Sequence, residues 1–141
     1  ADATSRSSRF PAVRDIITET LRRYATHPPM KPSQKHFQGS ILDGRDIGTV
    51  VCPDADVKLY VTANAEVRAE RRYKELAAKG IATTYATVLQ DMMDRDARDS
   101  GREASPLKPA EDAILLDTSA LNADTAFDQA TEIIRSKLSQ D

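Results

Sequence analysis

Cysteine occurs once in 141 residues, tryptophan not at all, and glycine only five times. A single thiol, Cys52, excludes an intramolecular disulfide framework and fits a reducing compartment. It follows the apolar run Thr49-Val50-Val51, which predicts an inert, buried thiol rather than a nucleophile. A basic surplus is also missing. The 20 Lys and Arg stand against 22 Asp and Glu, a net charge of −2, which argues against nucleic acid or a membrane surface as partner. No signal peptide and no stretch of 18 apolar residues is present, so the sequence predicts a soluble, cytoplasmic protein. His27 and His36 fall in a Pro- and Lys-rich loop with no ligand spacing around them, so no metal centre is expected there.

What is there alternates between helical and strand patterning. Residues 1–9 are small and polar; Pro11 then opens a helix, where its missing N–H costs nothing. Val13, Ile17, Leu21 and Tyr24 share one face of that helix and predict its packing stripe. Residues 27–40 read as a loop. Ile41-Leu42-Asp43 and Val57–Val61 read as two buried strands. Asn64 caps a helix that runs to Lys79, with Gly80 as its terminator, and another helix starts near Thr83 or Thr84. In that second helix Val88, Met92 and Met93 make only a narrow apolar stripe, so its second half should face solvent or a site. Ile114-Leu115-Leu116 form a third strand, and Asn122 caps a last helix whose Phe127, Ala130, Ile134 and Leu138 predict a core-facing stripe. The order α-β-β-α-α-β-α places the chain in the α/β class.

Two clusters could carry chemistry. Asp43, Gly44, Arg45 and Asp46 crowd the end of the first strand, and in open α/β sheets ligands bind just beyond the strands' carboxyl ends. A tight Asp-Gly turn with a solvated ion pair is the other reading of those residues. Arg95, Asp99 and Arg102 stand at i, i+4 and i+7, one face of a helix. On spacing alone a surface ladder of ion pairs, at about 0.3–0.5 kcal/mol each, is the favoured reading.

The longer strings separate these readings. DGRDIGTVVCPDADVKLYVTA (43–63) closely resembles the bacterial cytidylate kinases, P-loop enzymes that move a phosphoryl group from ATP to CMP or dCMP. The likeness extends through SRSSRFPAVR (5–14), EVRAERR (66–72), RDARDSGREASPLKPA (95–110) and AILLDTS (113–119), nearly the whole chain. A related kinase for UMP or AMP is a poorer match, because DGRDIGTVV and RDARDSGR argue against it.

The resemblance implies a three-layer parallel sheet of order 2-3-1-4-5, in which the strands at 41–43 and 57–61 are the family's third and fourth. It implies that Asp46, Arg14 and Arg102 face the cytosine, that Ser5, Arg95 and Asp99 face the sugar, and that Arg45 contacts the acceptor phosphate. Residue types suit these roles, since cytosine shows a donor at N4 beside acceptors at N3 and O2, and a carboxylate can accept from two ribose hydroxyls. Asp43 would stand near the magnesium of ATP, through water, and Arg68, Arg71 and Arg72 would approach ATP itself; a normal solvated helix face is the alternative for those three. Of these residues Asp43, Arg45, Arg95 and Arg102 would serve the transfer step.

One part of the pattern is absent. G-x-x-x-x-G-K-[ST], the loop whose amides cradle ATP phosphates, matches nowhere, and no Gly-Lys pair follows Gly39, Gly44, Gly48, Gly80 or Gly101. By the resemblance, the sequence reads as the C-terminal part of one kinase domain, without the P-loop strand and with an N-terminal P-loop part as its missing partner. Within it, 1–26 would supply a helix to the CMP site, 41–94 and 110–141 the core, and 95–109 a lid. A non-catalytic nucleotide-binding fragment is the competing reading.

Overall fold

The computed structural model describes residues 10–29, 39–101 and 108–139. The chain divides into two compact units, Ala1–Asp54 and Ala55–Asp141.

The first unit is built on helix α1 (Pro11–Thr26). Phe10 at its N-cap offers no capping oxygen, so Pro11 sets the start, while the Phe10 carbonyl accepts from the Val13 and Arg14 amides at 3.1 Å each. At the other end the carbonyls of Tyr24 and Ala25 accept from the Ser40 hydroxyl at 3.1 and 2.7 Å. This long-range cap satisfies groups that every helix terminus leaves open. The predicted stripe is only partly covered. Val13 and Leu21 are half-buried, but Ile17 and Tyr24 remain exposed, and no residue of α1 is fully buried.

The first predicted strand does not form. Residues 41–43 carry no strand pairing, and Ile41 is 96% exposed. A strand exists only when a neighbour takes its amides and carbonyls, and no segment among the described residues does so here. A π-helical turn, Ile47–Val51, follows instead, closed by Val51 N–H to the Asp46 carbonyl at 3.1 Å and Cys52 N–H to the Ile47 carbonyl at 2.7 Å. Cys52 is half-buried rather than buried. Gly44 precedes the turn, where an added Cβ would lie 2.9 Å from the Ile47 side chain, so a larger residue there would have to push that side chain aside.

The second unit has the α/β character expected. Strands β1 (Leu59–Thr62) and β2 (Ile114–Asp117) pair in parallel, Leu59 opposite Ile114 and Thr62 opposite Asp117. Parallel strands need a long crossover, supplied by α2 (Ala65–Ala78) and α3 (Tyr85–Ser100), which pack against each other. The predicted cap is present, Asn64 Oδ1 accepting from Val67 N–H, and of Thr83 and Thr84 it is Thr84 that caps the next helix, its Oγ1 accepting from Thr87 N–H. Gly80 has φ +70°, the left-handed conformation of a helix terminator. Ala63, Ala69, Val88 and Leu116 form the buried core.

Helix α4 (Ala123–Leu138) starts at the predicted Asn122 cap, but only Ala130 and Ile134 of the predicted packing face are covered. Ala126, Ala130, Ile133 and Ile134 are half-buried, whereas Phe127 is 70% and Leu138 56% exposed. Ala126 and Ile133 extend the covered face to the side away from Phe127. Leu138 lies in the last turn.

At the amino ends of the strands, Lys58 Nζ donates to both carboxylate oxygens of Asp112 at 2.9 and 2.7 Å. The ammonium holds the Asp112 carboxyl below its ordinary value of 3.8. A carboxyl depressed by folding adds stability above its unfolded value and loses it as pH falls through the folded one. Asp112→Asn is therefore expected to lower the thermal midpoint at neutral pH, with the gap to the parent closing below pH 3.8. Melting curves across a pH series check this, and a gap that stays constant into acid contradicts it.

Among the described residues no helix is long and apolar enough to cross a membrane.

Candidate functional site

In the second unit the carboxyl ends of β1 and β2 lie side by side, the place where α/β proteins bind ligands. The Thr62 carbonyl accepts from both Thr118 N–H at 2.8 Å and the Thr118 hydroxyl at 2.9 Å. Ser119 donates its hydroxyl to Asp117 at 2.6 Å and accepts from Asn64 N–H at 2.9 Å. With the Ser119 amide also donating, Asp117 is held below the ordinary carboxylate range. This network joins the two strand ends before any ligand arrives.

The three arginines of α2 attach to this region in different ways. Arg71 donates to the Thr118 hydroxyl at 3.1 Å, the Thr118 carbonyl at 2.7 Å and the Leu121 carbonyl at 3.0 Å. Arg68 donates from Nε to the Ala63 carbonyl at 2.9 Å and pairs through Nη2 with Asp96 of α3 at 2.7 Å. These two satisfy carbonyls left open where a strand ends, a task that suits the guanidinium fork. Arg72 pairs instead with Glu75 at 2.7 Å on the exposed helix surface. Arg72 and Lys79 together lower the Glu75 carboxyl to about 2, the Lys79 hydrogen bond contributing most.

On α3, Arg95 and Asp99 share a face as their spacing predicts, with Arg95 Nε 3.9 Å from Asp99 Oδ2. That distance is an ion pair and too long for a hydrogen bond. The two residues differ sharply in exposure: Asp99 is 4% exposed, while the Arg95 side chain is 61% exposed. Of the two expectations for the second half of this helix, solvent-facing or site-facing, the buried Asp99 does not fit the first. Burying a carboxylate is costly unless cations or donors surround it, so a buried Asp in this position signals a specific environment.

In the first unit, Asp43 is exposed, and Arg45 and Asp46 are half-buried. The Asp46 carbonyl closes the π-helical turn by accepting from Val50 N–H at 2.9 Å and Val51 N–H at 3.1 Å, whereas its carboxylate does not cap the turn. The turn is therefore closed by the Asp46 backbone and not by its side chain. Arg14 is half-buried on α1. Ser5 and Arg102 lie outside the described residues.

Sequence reasoning missed Arg22 and Ser40, both of which tie α1 to the segment that carries Asp43, Arg45 and Asp46. Their targets are backbone carbonyls 15 to 29 residues away, and carbonyls leave no mark in a sequence. The Arg68–Asp96 pair was missed for a related reason, since it depends on how two helices meet.

Among the described residues no three His, Cys, Asp or Glu side chains gather into a group that could hold a metal. Asp43, a single exposed carboxylate at a turn, fits instead the sparse protein contacts of magnesium carried by nucleotide phosphates.

Comparison with known proteins adds the remaining finding. The family model described as "Cytidylate kinase" matches residues 1–136. The cytidylate kinase of Paramagnetospirillum magneticum is 53% identical over 137 residues, covering 97% of this chain and 62% of that protein. The cytidylate kinase of Sinorhizobium medicae is 50% identical over 133 residues, 94% of this chain and 58% of that protein. That of Rhizobium meliloti is 48% identical over 139 residues, with 99% and 61% covered. The chain thus spans about three fifths of the length of these curated relatives.

Proposed function

Since this chain belongs to the cytidylate kinase family, we propose that the protein transfers the γ-phosphoryl group of ATP to CMP or dCMP. The carrying observation is a family match that runs through residues 1–136, with relatives about half identical across it. The chain supplies the acceptor part of that reaction and, at 95–109, the lid. The phosphate-cradling loop and its strand belong to an N-terminal part, and the complete parallel sheet has the order 2-3-1-4-5.

In this reading Asp46 accepts from cytosine N4, and Arg14 and Arg102 donate to N3 or O2. Ser5, Arg95 and Asp99 hold the sugar, and Arg45 binds the acceptor phosphate. Asp43 approaches the magnesium of ATP through water. Transfer is in-line without a covalent enzyme intermediate, so the protein's work is positioning and charge stabilisation by Arg45, Arg95 and Arg102. Of the arginines on α2, Arg72 would give up the least to turn to ATP. Its partner Glu75 is a surface carboxylate, and such pairs exchange at little cost. Arg68 and Arg71 each spend donors on backbone carbonyls and would have to give those up.

The reading is tested by following ADP and CDP formation from ATP and CMP in the full-length protein, with UMP and AMP as competing acceptors. A protein that phosphorylates AMP or UMP in preference to CMP sinks it. Within the same assay, Asp99→Ala removes a charged acceptor worth about 2 kcal/mol, roughly thirtyfold. The expected result is a higher KM for CMP and for UMP alike, because the sugar is common to both, with KM for ATP unmoved. A selective loss of CMP over UMP would place Asp99 on the base instead.

A further inference from the structure

Two ties fasten the segment that carries Asp43, Arg45 and Asp46 to the last two turns of α1. At its amino end the Ser40 hydroxyl donates to the Tyr24 and Ala25 carbonyls. At its carboxyl end the Arg22 guanidinium donates from Nε to the Val51 carbonyl at 3.1 Å and from an Nη to the Val50 carbonyl at 2.8 Å. Val50 and Val51 end the π-helical turn, and their amides are the ones that close on the Asp46 carbonyl. A π-helical turn is seldom populated without support, and its last carbonyls have no continuing helix to bond them. A cation there satisfies both carbonyls through a planar fork and opposes their aligned dipoles.

We propose that Arg22 is a positioning residue for base recognition: by holding the Val50 and Val51 carbonyls it fixes the turn whose N-cap residue, Asp46, meets the cytosine. The inference rests on the reading of Asp46 given above, and Arg22 itself touches no substrate. Arg22 acts on the far end of the turn, and Asp46 receives the effect through two amide hydrogen bonds. Without the guanidinium the turn is released toward ordinary helical or extended backbone, and the Asp46 carboxylate loses its fixed direction. The α1 helix, which also carries Arg14, becomes in this way the frame against which base recognition is set.

The test compares Arg22→Gln, Arg22→Lys and Asp46→Asn with the parent in the full-length protein. Gln keeps a donor but loses charge and fork; Lys keeps the charge alone. Arg22→Gln is expected to lower the CMP/UMP ratio of kcat/KM by up to about tenfold, a part of what one paired base edge supplies. KM for CMP should rise while KM for ATP stays put, Arg22→Lys should fall between parent and Gln, and amide hydrogen exchange at Val50, Val51 and Cys52 should accelerate. Should Arg22→Gln fail to fold, the Lys variant decides. If Asp46→Asn lowers the ratio while both Arg22 variants keep it, the positioning role is overturned and the Asp46 reading stands. Slowing of CMP and UMP to the same extent overturns it equally, because a merely structural arginine does that. If Asp46→Asn leaves the ratio unmoved, the base reading fails and takes the Arg22 inference with it.

Discussion

No CDP is expected when the 141-residue chain is incubated by itself with ATP, magnesium and CMP. Phosphoryl transfer depends on holding the γ-phosphate in line with the acceptor, and oriented proximity can supply about 7–11 kcal/mol of barrier reduction. The chain contains no G-x-x-x-x-G-K-[ST] to hold ATP by its phosphates. No substitute is evident on α2. Arg71 is committed to Thr118 and Leu121, Arg68 to Ala63 and Asp96, and Arg72 offers a single surface guanidinium. One cation without backbone amides around the phosphates gives charge but no alignment. The rate should therefore fall by more than about ten-thousandfold relative to the full-length protein, which is background in a coupled ADP assay or by chromatography of the nucleotides. CDP made at a rate within a hundredfold of the full-length protein, by a sample of confirmed mass, would sink this expectation.

The second large effect concerns base choice at Asp46. In the full-length protein, Asp46→Asn is expected to lower the CMP/UMP ratio of kcat/KM by roughly ten- to a hundredfold, the ~1–3 kcal/mol of one matched base edge. A carboxylate can only accept, which suits the N4 amine of cytosine and repels the O4 carbonyl of uracil. An asparagine amide can turn and donate, so uracil gains what cytosine loses. Because the Asp46 carboxylate does not cap the turn, the substitution leaves the closing hydrogen bonds of its backbone carbonyl in place. Thermal stability should accordingly stay close to that of the parent. Steady-state rates with CMP and UMP at fixed ATP measure the ratio. An unchanged ratio returns Asp46 to the role of an ordinary turn residue.

Part of this molecule could be read directly from local chemistry. Pro11, Asn64, Thr84 and Asn122 mark the starts of four helices, and each is found where its type predicts, because capping and proline effects act within a few bonds of the residue. Gly80 ends α2 for the same local reason. The short β-branched and apolar runs at 57–61 and 114–116 read as strands, and strands form there at 59–62 and 114–117. The long strings from 43–63 and 95–110 carried the family, which the match over residues 1–136 supports. The residue types of the candidate site, a carboxylate beside arginines, were also visible as chemistry without any coordinates.

Other features were decided only by tertiary structure. Ile41 and Leu42 have the composition of a strand, yet remain outside any sheet, because strand character is a property of a pair and not of a segment. Phe127 and Leu138 fit a helical stripe of which α4 covers only Ala130 and Ile134, because packing decides which part of an apolar face is buried. The division of labour among Arg68, Arg71 and Arg72 is likewise invisible in EVRAERR, since each differs only in which carbonyl or carboxylate lies within reach. Arg22 is the clearest case. By itself the sequence determined the helices, the two paired strands, the family and the kinds of side chain available for the acceptor site. Which arginines brace the backbone was fixed only when residues 28 and 29 positions apart met, because an arginine finds its role by distance in space.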